Sequence, residues 1–535
     1  MPAGRRVAVW TLGVLLGLAT LIPTAALGSR MRAAGSGVEV IQEVHHDVSP
    51  PLASMPSGGA AVSSSSRHEH PARPLATGRP GLRDGALQTT TGPRVATTAG
   101  LSFAGVGAGD YGFSPNAAPP DPNLSVGATQ VVQWVNESFA VFDKATGALV
   151  HGPVAGNMLW SGFGGGCQTN NDGDPIVKYD RISGRWVLTQ FSVGTTPYLQ
   201  CIAVSTTSDA TGTYNRYAFS FGTTQFPDYP KLGVWPDAYY MTFNVFNNAS
   251  TFAGAKLCAL NRLAMVAGSA ATMQCFQLST SFGGVLPSDL DGATAPPSGS
   301  PNYMLNFGTN SLNEWKFHVD FATPTNTTLT GPANIPVATF TPACNGGVCI
   351  SQPNTRNRLD SLGDRLMYRL AYRNTGSNQV LVVDQSVKAG GTRRNPVIGV
   401  RWYELHAPNA SGGATVFQQG TFAPNSTSRW MGSIAMDKVG DIAVGYSVSS
   451  GSVFPSIRYT GRVPTDPLGT LEAENTIKTG GGSQTGSLHR WGDYTSMAID
   501  PGNDCTFFYT NEYLKSSGSF NWSTWIASFK FPGCI

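Results

Sequence analysis

Charge is what this sequence has least of. Asp, Glu, Lys and Arg make up 13% of its residues, about half the share of an ordinary soluble domain. The two signs nearly cancel, with 35 Lys and Arg against 32 Asp and Glu and a net charge of +3. Binding to nucleic acid needs a concentrated basic surface, so no nucleic-acid partner is expected. Long helical periodicity is also missing, and no CxxC or clustered Cys/His spacing points to zinc. The sequence contains no GxSxG elbow, no HExxH, no P-loop and no GxGxxG between a strand and a helix. The Gly-rich run near Gly162 has no phosphate-cradling helix after it. These absences remove the common signatures of α/β-hydrolases, zinc proteases and nucleotide-binding enzymes.

One long apolar run is present, at the N-terminus. Arg5 and Arg6 precede residues 7–27, which Pro23 interrupts, and Ala25, Ala26 and Gly28 follow as small residues. This order of charge, apolar core and small residues is that of a secretory signal, so residues 1–28 are expected to be removed on export. No later segment is apolar enough to span a bilayer. Residues 29–100 are rich in Ser, Gly, Pro and Ala, and such a stretch buries too little surface to offset its ordering entropy. It reads as a disordered linker or pro-segment. His45, His46, His68 and His70 lie in it and are expected to be solvated there rather than to hold a metal.

Residues 101–535 carry all eight cysteines. An even count in an exported chain implies disulfides. Pairing of nearest neighbours is the simplest scheme: Cys167 with Cys201, Cys258 with Cys275, Cys344 with Cys349, and Cys505 with Cys534. The chemistry of the chain is thus that of a secreted, extracellular protein, expected to be a monomer.

Short runs of β-branched and aromatic residues, such as VVQWV, WVLTQFSV, AYYMTFNVF and CTFFYTNEY, recur between Gly, Asn, Asp and Pro. These are strand and turn signals. A hairpin unit repeats at Phe142, Tyr179, Met436 and Ile499: an apolar residue, then Asp, a Gly-containing turn and an apolar strand. A second unit opens with Arg and an apolar residue at Arg358, Arg429 and Arg490. With further starts near Asp121, Asp174 and Asp228 and a unit within 286–336, the repeats predict an all-β propeller. The count is about seven blades, with six as the alternative and two packed sandwiches as the rival architecture. The segment before Asp121 is a candidate closing strand for the last blade.

The segments DPIVKYDRISGRWVLTQFS, DYPKLGVWPDAYY, SRWMGSIAMDKVGDIAVGYSVSS and RWGDYTSMAIDPGNDCTFFYTNEY resemble a group of large secreted, mostly uncharacterised bacterial β-proteins, from about Ala104 to the end. That resemblance implies export and a repetitive β-fold but no catalytic residue. A looser resemblance is to sialidase-like propellers, although the SxDxGxTW turn is missing. It implies arginines gripping a substrate carboxylate and a tyrosine nucleophile.

Equivalent positions on neighbouring blades converge at the axis of a propeller. Arg358, Arg429 and Arg490 are therefore expected to bind an acidic glycan, with Trp430 and Trp491 beside them, since guanidinium forks hold carboxylates bidentately. The competing expectation is that each Arg braces its blade against a nearby Asp. Tyr494 is the candidate nucleophile, Glu512 its base, and Asp174 or Asp228 a general acid. Asn170, Asp172 and Asp174 offer oxygens at calcium-like spacing around Gly173, and no other cofactor is expected. Without catalysis the same fold would serve as an extracellular binding, adhesion or scaffold protein for a glycan or surface ligand.

Overall fold

The computed structural model describes Met1 and residues 30–32, 37–55, 67–71, 73–75, 83–407 and 413–535. The expected signal peptide lies outside the described residues, apart from Met1. Among the described residues the protein is a seven-bladed β-propeller, with two short α-helices, Gly165–Thr169 and Arg262–Ala267. The innermost strands of blades 1 to 7 are Asn123–Val126, Ile176–Asp180, Gln225–Val234, Leu286–Asp291, Leu366–Asn374, Ser428–Met436 and Ser496–Ile499. Each is followed outward by antiparallel strands to a total of four. The innermost strands pack side by side in a closed ring, with blade 7 against blade 1. In blade 4 the inner strand also pairs in parallel with that of blade 5, Ser288 opposite Leu370.

The repeated Asp builds the turns that define the blades. Asp143 Oδ1 accepts hydrogen bonds from the Ala145 and Thr146 amides at 3.1 and 2.8 Å. Asp180 does the same for Ile182 and Ser183, Asp437 for Val439 and Asp441, and Asp500 for Gly502. A carboxylate that ties up turn amides replaces the ladder bonds lost where the chain reverses. Gly440, at φ 93°, takes a backbone conformation that other residues avoid.

The ring is closed by the N-terminal part of the chain. Strand Thr98–Ala104 pairs with Trp522–Lys530, the last strand of blade 7, in the register Trp525 opposite Ala104 and Ile526 opposite Phe103. This strand from early in the chain completes blade 7 to four strands and ties it to the start of the ring. All four disulfides follow the nearest-neighbour scheme. Cys258 and Cys275 sit directly opposite each other in adjacent strands of blade 3. Cys505–Cys534 fastens Cys534 to the turn between the two innermost strands of blade 7.

One expectation is corrected. Residues 29–100 are not a disordered linker throughout, because strand Glu39–Val48 is built into the propeller. It pairs with the outermost strand of blade 2 through Glu43 and residues 45–48 and with that of blade 3 through residues 39–42, joining two blades into one sheet. Composition alone concealed this. Few side chains here are large and apolar, but Val38 and Ile41 are fully buried, and charge pairs supply the rest of the attachment. Asp47 accepts a bidentate pair from Arg216 at 2.8 and 2.6 Å, and Glu39 meets Lys256 at 2.7 Å.

Arg216 is buried and its fork is matched by Asp47, so removing the carboxylate leaves an uncompensated guanidinium. Asp47→Ala is expected to destabilise the fold by about 2–3 kcal/mol, measured by urea unfolding. An unchanged unfolding midpoint would mean that the Asp47–Arg216 pair contributes nothing to the folded state.

Candidate active site at the axial mouth

The propeller axis is filled by charge. Near its middle, Lys178 of blade 2 pairs with Asp289 of blade 4, and Arg369 of blade 5 pairs with Asp289 at 3.1 Å and with Asp291. At the C-terminal end of the inner strands, Arg373 donates two hydrogen bonds to Asp504, at 2.8 and 2.9 Å, and Arg181 reaches the same carboxylate. A cavity of about 520 Å³ opens beside this end, lined in part by Tyr179, Ile182, Pro236 and Leu290.

The opposite mouth, where the inner strands begin, gathers the acidic residues. Asp121 precedes the inner strand of blade 1, Asp174 that of blade 2, and Asp493 and Tyr494 that of blade 7, while Asp228 and Tyr229 lie in that of blade 3. Tyr494 donates its hydroxyl to Asp174 Oδ2 at 2.7 Å, and the Tyr229 amide donates to the same oxygen at 3.1 Å. Asp121 accepts from the Asp493 amide at 3.2 Å and from Asn136 Nδ2 at 3.1 Å. Arg490 Nη2 binds Asp493 at 2.6 Å, and its Nε lies 3.5 Å from Asp360. Arg365, on the blade 5 side, bonds Asp364 and stacks 4.4 Å above the Tyr229 ring. Beneath them the Lys231 ammonium is buried 3.0 Å from the Tyr494 ring centre and 3.4 Å from that of Tyr229, with no hydrogen-bond partner.

Backbone strain concentrates here. Asp121, Asp174, Tyr229 and Leu362 all have positive φ, at 44°, 49°, 53° and 43°. Such conformations cost roughly 1–3 kcal/mol each and persist where the surroundings over-determine them. The electrostatics are equally unusual. Burial, reinforced by neighbouring Asp174, pushes Asp228 up to about 7. Burial together with Asp493 raises Asp121 well above the usual carboxylate range. Burial lowers Lys231 well below an ordinary lysine and raises Tyr494 well above an ordinary phenol.

The mouth is covered by residues 67–71 and 73–75 of the N-terminal region. Glu69 Oε1 accepts from the His489 and Arg490 amides at 2.6 and 2.7 Å. Arg490 donates to the His70 carbonyl at 3.2 Å. Arg73 lies across Phe226 at 4.2 Å and pairs with Asp228 at 3.2 Å. The Leu75 amide donates to Asp364 at 2.8 Å. The space left among these groups is about 40 Å³, room for no more than a few water molecules.

The sequence-derived site is partly assembled. Tyr494, Asp174, Asp228 and Arg490 meet at the mouth, and Arg490 is braced by Asp493 and Asp360. The convergence of three arginines is corrected. Arg429 is fully buried in blade 6, where Glu474 receives two bonds from it at 2.9 and 2.8 Å. Arg358 bonds Ser351 and, at 2.9 Å, Asn395. Trp430 and Trp491 are fully buried and face each other at 5.9 Å, so they pack blades 6 and 7 rather than a ligand. Glu512 is not paired with Tyr494: its Oε2 accepts the Gly492 amide at 2.8 Å, and Asp174 takes the tyrosine hydroxyl instead. The expected calcium set is also dispersed. Asp172 caps the Val193 and Gly194 amides, and Asn170 donates to Ser192 and Thr195. Lys231, Tyr229, Arg365 and Arg73 were missed by the sequence reading. Only the blade-start position of Asp228, three residues before Lys231, hinted at the lysine.

No protein-family model and no curated protein matches the sequence. Among solved structures, an α-L-arabinofuranosidase from Fusarium graminearum in complex with an iminosugar inhibitor is similar at 9% identity, covering 81% of this chain and 99% of that one, with a TM-score of 0.37. An α-L-arabinanase from Penicillium chrysogenum complexed with arabinobiose gives 10% identity, 82% and 100% coverage and a TM-score of 0.35. The NanB sialidase from Streptococcus pneumoniae gives 10%, 80% and 70%, and 0.34. The seven-bladed architecture follows from the strand pairing of the chain itself.

A carboxyl raised by burial binds its proton more tightly in the folded than in the unfolded state. Its contribution to stability is therefore greatest below the unfolded value near 4 and declines as pH rises towards 7. Asp228→Asn is expected to leave stability at pH 4 unchanged and to raise it at pH 8, by up to about 4 kcal/mol. Parallel urea unfolding of both proteins across that range checks this, and a pH-independent difference would contradict it.

Proposed function

We propose that the N-terminal mouth of the axis is a glycan site that cleaves a glycosidic bond, in an exported protein whose segment 67–75 holds the site latent. The observation that carries this reading is the convergence of Asp121, Asp174, Asp228 and Asp493 with Tyr494 on strained backbone at one axial mouth. Glycoside hydrolysis asks for two carboxyl groups in different protonation states flanking one bond. Asp228 is raised to about 7 in the covered site by burial and Asp174, with Arg73 opposing; release of the segment removes Arg73 and leaves Asp174 beside it, which suits the general acid that protonates the leaving oxygen. Asp174, held by the Tyr494 hydroxyl and the Tyr229 amide, suits the carboxylate that stabilises positive charge on the sugar ring or activates water. Tyr494 acts in this scheme as a donor to Asp174 rather than as nucleophile, because burial keeps its phenol protonated. The four disulfides and the N-terminal signal sequence support an extracellular setting, and among the described residues no helix is long and apolar enough to cross a membrane.

The arrangement favours a neutral glycan over an acidic one. Arg365 and Arg490 are each already bonded to an aspartate, and Arg73 belongs to the covering segment. Displacing that segment leaves more carboxylates than cations around the mouth, which would repel a sugar carboxylate.

Excising residues 67–75, through protease sites placed in 56–66 and 76–82, retains strand Glu39–Val48 and the closing strand. The excised protein is expected to release reducing ends from a neutral polysaccharide in a panel, while the full chain does not. Asp228→Asn in the excised form should lower kcat by about 100-fold or more. Binding without product release would assign the mouth to a carbohydrate-binding protein, and no binding at all would end the glycan reading.

A further inference from the structure

We propose that His68, His70 and Glu137 form a zinc site that clamps the N-terminal segment to blade 1. Residues 68 and 69 form a short strand parallel to Ala117–Ala118, with His68 opposite Ala117. The His68 amide donates to the Asn116 carbonyl at 3.1 Å and the His70 amide to that of Ala118 at 2.7 Å. Side chains alternate faces along an extended chain. Glu69 accordingly points to the His489 and Arg490 amides, while His68 and His70 share the other face. Both turn towards Glu137, in the hairpin between strands Gln130–Val135 and Ser138–Asp143 of blade 1.

The ligand atoms converge as a metal requires. His68 Nε2 is 3.2 Å and His70 Nε2 3.5 Å from the same Glu137 Oε1, and among the described residues this is the one group of three or more His, Cys, Asp or Glu side chains drawn together in this way. Asn116 Nδ2 donates to the other oxygen, Oε2, at 3.0 Å, which orients the carboxylate so that Oε1 faces the imidazoles. Outer hydrogen bonds of this kind set the geometry of ligating carboxylates. His70 Nε2 is buried and makes no hydrogen bond, a cost that a metal bond would remove. Two imidazole nitrogens and one carboxylate oxygen are a zinc donor set, with a fourth position left for water.

The consequence follows from position. The segment that supplies two of the ligands continues into Arg73 and Leu75 over the axial mouth, so the metal would fix the cover in place. Control of access in this way rests on the latent-site reading, whereas zinc binding does not.

Zinc chloride titrated into the metal-stripped full-length protein is expected to bind at one ion per chain by calorimetry. His68→Ala/His70→Ala should weaken that binding by at least 100-fold, and Asn116→Ala, which leaves the ligands in place, by about 10-fold. Trypsin cleavage after Arg67 should slow on zinc addition in the wild type and not in the double variant. The site is refuted if the wild type takes up no zinc or the double variant binds it equally. Zinc binding that leaves cleavage after Arg67 unchanged would refute the clamp. Because no step uses glycan, loss of the hydrolase reading would leave the zinc result standing.

Discussion

The structure depends on closing seven blades around an axis that is filled with charge rather than with apolar side chains. Lys178, Asp289, Arg369 and Asp291 bridge blades 2, 4 and 5 across the centre. Arg369 also donates its Nε to the Met497 carbonyl of blade 7 at 2.8 Å. Buried pairs of this kind gain little net stability over a well-packed apolar core, but they are costly to break singly. Their effect is to fix which blades face which, because Asp289 takes cations from two blades and Arg369 spans two carboxylates of a third. The apolar packing lies further out, between the faces of neighbouring blades, where Trp134, Trp160 and Trp186 fill the space between blades 1 and 2.

The mouth continues the same column under different conditions. In the middle of the axis each charge has its partner. At the N-terminal end carboxylates outnumber cations, Asp121 and Asp228 are pushed up by burial and by each other's neighbours, and Lys231 is buried among aromatic rings without a hydrogen bond. A site confined to stability would have settled into pairs, as the Arg373–Asp504 end has. Imbalance together with four positive-φ residues distinguishes this end from the paired one, and a functional site there is the proposal that accounts for both.

Much of this was legible in the sequence, and the failures have a common cause. Blade starts at Asp121, Asp174 and Asp228, the turn aspartates and the cysteine pairing all rest on short-range chemistry, which a linear pattern carries. Arg429 and Arg490 share an Arg-Trp dipeptide but not a structural position. Arg490 lies six residues ahead of its inner strand, whereas Arg429 lies inside its strand, before an irregularity at Met431, where φ is 49°. A few residues of offset moved one arginine to the mouth and the other into a buried pair with Glu474. Lys231 was hidden because a single lysine in a short strand run gives no sign in the sequence of which face of the strand it takes. Strand Glu39–Val48 was hidden because partners far along the chain, Arg216 and Lys256, match its acidic residues.

The two attachments of the N-terminal region differ in kind, and that difference bears on how a latent site would open. Strand Glu39–Val48 is held by ladder bonds to two blades and by Asp47 and Glu39 against cations almost fully buried in the propeller. Residues 67–71 and 73–75 are held by a two-residue strand and by polar contacts at Glu69, His70, Arg73 and Leu75. Release of the first would leave Arg216 and Lys256 without their carboxylates and open the edges of two blades. Release of the second exposes carboxylates that water solvates readily and relieves their burial. The physical asymmetry therefore puts the weaker attachment over the mouth and the stronger one at the rim, which is the arrangement that a latent site opened by release of its cover would require.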